Sequence, residues 1–120
     1  MSKSILRDTS REFAKDIVLL CRKMKEARKE SVIANQILRS GTSIGANIHE
    51  AQYAHGPKDF ALKFEIALKE CHETEYWLDL IFETESITKE EYDNLRHKCG
   101  TIRARLISSL NTIKSKYPLD

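Results

Sequence analysis

Glycine and proline are scarce in this chain, four and two among 120 residues, so few positions force a helix to stop. No apolar run approaches the roughly 18 residues that a membrane-crossing helix needs. The opening Met1-Ser-Lys-Ser-Ile-Leu-Arg-Asp8 holds no hydrophobic secretory core, so no membrane association and a cytoplasmic location are expected. The three cysteines, Cys21, Cys71 and Cys99, lie far apart, each on or beside a predicted apolar face. They read as small core hydrophobes in a reducing compartment. Catalytic vocabulary is missing as well. There is no Cys-x-x-Cys, no phosphate-binding glycine loop, no dinucleotide fingerprint and no nucleophile elbow. No glutamate has a histidine three residues later, which removes the usual di-metal motif of helical bundles. His49-Glu50 and His72-Glu73 are adjacent pairs that point about 100° apart on a helix and do not chelate together. The expectation is a protein without enzymatic activity, cofactor or bound metal.

At 41% hydrophobic and 32% charged, the composition is that of a globular chain, with the length of one domain, 1–120. A net charge of +2 is too mild to prove a nucleic-acid partner by itself. Hydrophobic spacing predicts four helices, at about 5–28, 32–52, 57–84 and 88–116. Leu6, Phe13, Ile17, Leu20, Met24 and Ala27 share a face of the first. Ser31 is placed to cap the second, and Pro57 suits the first turn of the third. Thr88 and Glu91 form a capping box at the fourth, with Ile87 and Tyr92 as its hydrophobic staple. The fourth carries the stripe Tyr92, Leu95, Cys99, Ile102, Leu106, Leu110, Ile113, Tyr117. Long helices with short loops and no alternating strand predict an all-α, antiparallel up-down-up-down four-helix bundle.

The second helix carries Gly41 and Gly45 in its interior, each costing about 1 kcal/mol relative to alanine unless a neighbour comes close. They flank a seam of Ile33, Ile37, Ile44 and Ile48, with Gln36, Ser40, Ser43 and Asn47 on the other shoulder. Arg39 and Glu50 lie beside the same groove, with Glu73 and Glu75 of the third helix as counterparts for Arg39. The third helix has two apolar faces. Phe60, Phe64, Ala67, Cys71, Leu78 and Phe82 make one, and Leu62, Ile66, Trp77 and Leu80 make a second, roughly opposite. A lone bundle has little use for the second, so it is expected to form a subunit interface of a homo-oligomer. The alternative is that Trp77 closes one end of the core.

Charge is segregated. Residues 70–85 carry six acids and no Lys or Arg, whereas residues 94–119 carry six bases and no acid. Arg96, Arg103 and Lys114 lie on one shoulder of the fourth helix, and Lys98, Arg105 and Lys116 on the other. Either these bases pair with the acidic helix and set register, or they form a surface for phosphates helped by Arg22, Lys23, Lys25, Arg28 and Lys29.

Gln36-Ile-Leu-Arg-Ser-Gly-Thr-Ser-Ile-Gly-Ala-Asn-Ile-His-Glu50-Ala resembles the signature of the 23S rRNA intervening-sequence proteins. A second motif follows in order, Asp59-Phe60 and then Ile66-Ala-Leu-Lys-Glu-Cys-His-Glu73-Thr-Glu75. His49-Glu50-Ala51 departs from the Ala-Glu-Gly of many members, which bears on where the second helix ends. The resemblance implies an up-down bundle assembled as a ring-like homopentamer and implies no catalysis. It also implies similarity to the accessory variability protein of diversity-generating retroelements, a basic pentamer that works with a reverse transcriptase and its template RNA. The positions carried over are Arg39, Ser43, Ile44, Asn47, Glu50 and Glu73, assigned to packing and assembly. The functional expectation is an oligomer that binds RNA or a nucleic-acid-processing protein; its rival is a scaffold whose charges serve assembly alone.

Overall fold

The computed structural model describes residues 2–118. They form four helices, α1 Ser2–Glu26, α2 Val32–Ala51, α3 Pro57–Glu83 and α4 Lys89–Lys116, with no strand among the described residues. α1 begins before the first apolar position and stops at Glu26, because Lys29 just beyond it turns into a left-handed conformation, φ 56°. Ala27, expected on the buried face, is therefore outside the helix and exposed. Ser31 makes no side-chain cap; the carboxylate of Glu30 accepts instead from the Ile33 N–H at 3.1 Å. α3 closes with Ser86 N–H donating to the Ile81 carbonyl and Glu85 N–H to that of Phe82, a Schellman ending with Glu85 at φ 58°.

α4 starts as the sequence reads. The Glu91 N–H donates to Thr88 Oγ1 at 3.1 Å, and the Thr88 N–H donates to the Glu91 carboxylate at 2.9 Å. The same carboxylate takes Lys23 at 2.8 Å and Arg28 at 3.2 Å, which ties the start of α4 to the end of α1. Burial alone would raise the Glu91 pKa, but Lys23, the Thr88 N–H and Arg28 outweigh it and hold the group down at about 2. A folded pKa below the ordinary 4.5 contributes stability above that value, and the contribution is lost as pH falls toward 2. Glu91→Gln is expected to cost about 1–3 kcal/mol at neutral pH. The gap to the wild-type protein in urea titrations should narrow through that acid window. A gap that stays constant there sinks the assignment.

Each helix packs against its chain neighbours, and α4 returns to α1 along the loosest seam. Among the described residues neither diagonal pair, α1 with α3 or α2 with α4, brings its backbones within 8 Å between Cα atoms. Rising residue numbers on one helix meet falling numbers on the next. Cys21 donates to the Ala34 carbonyl, Ile17 lies against Gly41, and Ser10 lies against Gly45. Ser40 meets Thr74 and Glu50 meets Lys63; Asp79 meets Arg96 and Glu65 meets Lys114. The long axis of 47 Å is close to the roughly 42 Å of a 28-residue helix.

The core runs the length of this square. Phe13, Ile17 and Met24 meet Ile37, Ile44, Ile48, Leu78, Ile81, Ile102 and Leu106, all fully buried. Each such side chain contributes about 1.5–3 kcal/mol by leaving water. Ile33 of the expected isoleucine seam is only half-buried, at the start of α2. Of the three buried hydroxyls, Thr74 donates to Ser40 at 2.9 Å and Ser10 donates to the Arg7 carbonyl at 3.1 Å.

Candidate assembly and nucleic-acid surfaces

The α2 signature works through packing. Gly41 faces Ile17 so closely that an added Cβ would stand 2.9 Å from its Cγ1. Gly45 faces the backbone of Ser10, 3.3 Å from its carbonyl oxygen. A neighbour comes close to each glycine, the backbone of Ser10 at Gly45 but the side chain of Ile17 at Gly41. Ile44 is buried, and Asn47 Nδ2 donates to the Ser43 carbonyl at 2.9 Å, within the helix. Glu50 is exposed and takes Lys63 at 3.0 Å. Arg39 reaches Glu73 and, at 3.5 Å, Glu70, and the Trp77 indole N–H donates to Glu73 at 3.0 Å. Glu75 is not a counterpart of Arg39. It lies on the other flank of α3, 7% exposed, where Arg96 approaches at 2.6 Å and Arg103 at 3.1 Å.

The second apolar face of α3 points away from the core. Leu62 is 52% exposed, Ile66 and Leu80 are half-buried, and Tyr76 beside them is 60% exposed. Trp77 belongs to both surfaces, since its ring packs against the core while its edge meets Tyr76, ring centres 5.1 Å apart.

The basic stripe of α4 divides along the two shoulders read from sequence. Arg96, Arg103 and Lys114 face α3 and pair with Glu75, Asp79 and Glu65. Asp79 is slightly buried, which opposes ionisation, but Arg96 and the Tyr92 hydroxyl overcome this and lower its pKa; Asp79 in turn raises that of Arg96. Lys98 turns to α1 and meets Asp16 at 2.7 Å, which raises its pKa. Only Arg105 and Lys116 of the six have no ion pair among the described residues. Both line a cavity of about 550 Å³ between α1, α3 and α4, over Leu6, Phe64 and Ile113.

A second set of bases lies on and just beyond α1; the sequence reading named Arg22, Lys25 and Lys29 as helpers of a phosphate surface but overlooked Arg11 and Lys15. Arg11, Lys15, Arg22, Lys25 and Lys29 are exposed, and none has an ion pair within 4.0 Å among the described residues. Arg11 and Lys15 had a legible signal, a four-residue spacing on the side of the helix away from Phe13 and Ile17. The cysteine thiols are buried and free. Burial pushes Cys21 up to about 11 against the pull of Lys25, and a hydrogen bond with Cys99 together with burial raises Cys71. No three His, Cys, Asp or Glu side chains gather as a metal site among the described residues, and no helix is long and apolar enough to cross a membrane.

Fold and surfaces together define an all-helical bundle with an outward apolar face and unpaired basic residues. The chain belongs to the 23S rRNA-intervening sequence protein family, which matches residues 2–108. It is similar over 92% of its length to a Bacteroides thetaiotaomicron protein of unknown function from the S23 ribosomal protein family. Identity is 48%, the TM-score is 0.91, and 99% of that chain is covered. No curated protein matches this chain.

Proposed function

We propose that this chain is a non-catalytic homo-oligomer that binds RNA, with an antiparallel up-down-up-down bundle as its building block. The head-to-tail pairings of neighbouring helices support that topology, and the family resemblance supplies the number five. The observation that carries the assembly is the outward face of α3, along which Leu62, 52% exposed, Ile66, Tyr76 and Leu80 follow one another. Apolar side chains turned outward along one helix are what a subunit interface covers, with Lys69 and Glu73 between them as its polar part. A closed ring uses unlike patches on neighbouring copies, so this face meets a different face of the next subunit. The rival reading, a scaffold whose charges serve structure alone, draws on the pairing of Arg96, Lys98, Arg103 and Lys114 within the chain.

Light scattering on the wild-type protein is expected to give a multiple of 13.9 kDa. Leu62→Asp with Leu80→Asp should give smaller species with unchanged helicity; Trp77 is a poorer probe because it also packs on the core. The intact protein should bind labelled single-stranded RNA at low salt and release it as salt rises. A wild-type protein at single-chain mass in micromolar solution refutes the oligomer, and no retention of RNA at low salt leaves the scaffold.

A further inference from the structure

Residues 7–29 carry eight bases against four acids, an excess larger than the +2 of the whole chain. Lys23 and Arg28 spend their charge on Glu91, and Arg7 lies against Gln52. The others have no such use. Arg11, Lys15, Arg22 and Lys29 follow one another at steps of four, seven and seven, so at about 100° per residue the three within α1 form a nearly straight row. From Arg11 to Arg22 it runs about 16 Å along the helix. Arg11, Lys15 and Arg22 rim a depression of about 440 Å³ whose floor includes Val18 and Leu19. Lys25 stands on its shoulder.

We propose that the outward face of α1 is the surface that takes RNA, a deepening that rests on the RNA-binding reading above. The cations meet backbone phosphates, and the floor of Val18 and Leu19 accepts the flat apolar face of an unpaired base. This arrangement selects single strands, whose bases are free to turn outward, over duplexes, whose bases are stacked away. It does not suit a lipid surface. A membrane-lying helix immerses a broad apolar face, whereas α1 turns its own into the core with Phe13, Ile17 and Met24. α1 and α3 are diagonal and meet only inside the bundle, so the basic row points away from the assembly face of α3. In a ring it is displayed once per subunit, and one strand that spans several rows gains avidity without any new contact.

The test uses the full chain and fluorescently labelled single-stranded RNA of random sequence, followed by anisotropy across a salt series. Reversing Arg11→Glu, Lys15→Glu and Arg22→Glu is expected to weaken binding at least about tenfold. The log–log salt slope should become shallower by about 2, near 0.7 for each lost phosphate contact. Mass and helicity should stay those of the wild type. Arg105→Glu with Lys116→Glu, the unpaired cations of α4, should change affinity much less. If the reversal alters the mass, the neutral Arg11→Gln, Lys15→Gln, Arg22→Gln protein carries the same comparison. Wild-type binding that the intact α1 variants leave unchanged overturns this surface while RNA binding stands. A wild-type protein that binds no RNA overturns both, as does one that binds only phosphatidylserine vesicles.

Discussion

Replacing Arg96 and Arg103 together by Met is expected to destabilise the fold by about 3–5 kcal/mol, the usual cost of leaving a buried charge without its partner. The charge is Glu75, 7% exposed between Arg96 at 2.6 Å and Arg103 at 3.1 Å. Both arginine side chains keep about a third of their surface in water. The loss belongs to the carboxylate, so a third change, Glu75→Leu, should recover most of it. A buried ion pair exchanged whole for apolar groups is often neutral. Urea denaturation of the double and triple variants decides the matter. If the triple variant is no more stable than the double, the arginines act through their aliphatic packing and not through Glu75.

Gly41→Leu should cost about 1–3 kcal/mol despite leucine's better helix propensity, because the new side chain enters a filled space. An added Cβ already lies 2.9 and 3.0 Å from the two Cγ atoms of Ile17, and these branch directly from that residue's Cβ and have little room to swing. The sign can be tested by making room. Ile17→Ala alone removes a fully buried side chain and costs about 2–5 kcal/mol. Combined with Gly41→Leu, the total should fall short of the sum by more than about 1 kcal/mol, since the two sites share one space. A higher melting temperature for Gly41→Leu alone shows that α1 and α2 do not approach closely there.

Much of the local structure was legible because its causes lie within one or two turns of chain. The Thr88–Glu91 box needs only residues three apart, and it forms with both bonds in place. The α4 stripe puts Leu95, Cys99, Ile102, Leu106 and Leu110 in the core because helical periodicity alone places them on one side. Ala27 and Ser31 were misread for a related reason. Periodicity does not say where a helix stops, and Lys29 in the left-handed region stops α1 before the pattern does. Glu30 then takes the capping role one residue before the expected one.

The amino-acid order therefore determined four helices, their apolar stripes, the small-residue groove at Gly41 and Gly45, and the division of α4 bases between two shoulders. All of these follow from angular position on a helix. Only the tertiary structure decided which neighbour each shoulder meets. Glu73 and Glu75 are two residues apart yet project about 200° apart, so one turns to Arg39 of α2 and the other to Arg96 and Arg103 of α4. The use of charge was decided the same way. A base is free or spent according to whether an acid from another helix lies within reach, and that distance is set by packing. The stripe on α4 is largely spent on α3 and α1, and the free row lies on α1, whose other face is held in the core by Phe13 and Ile17.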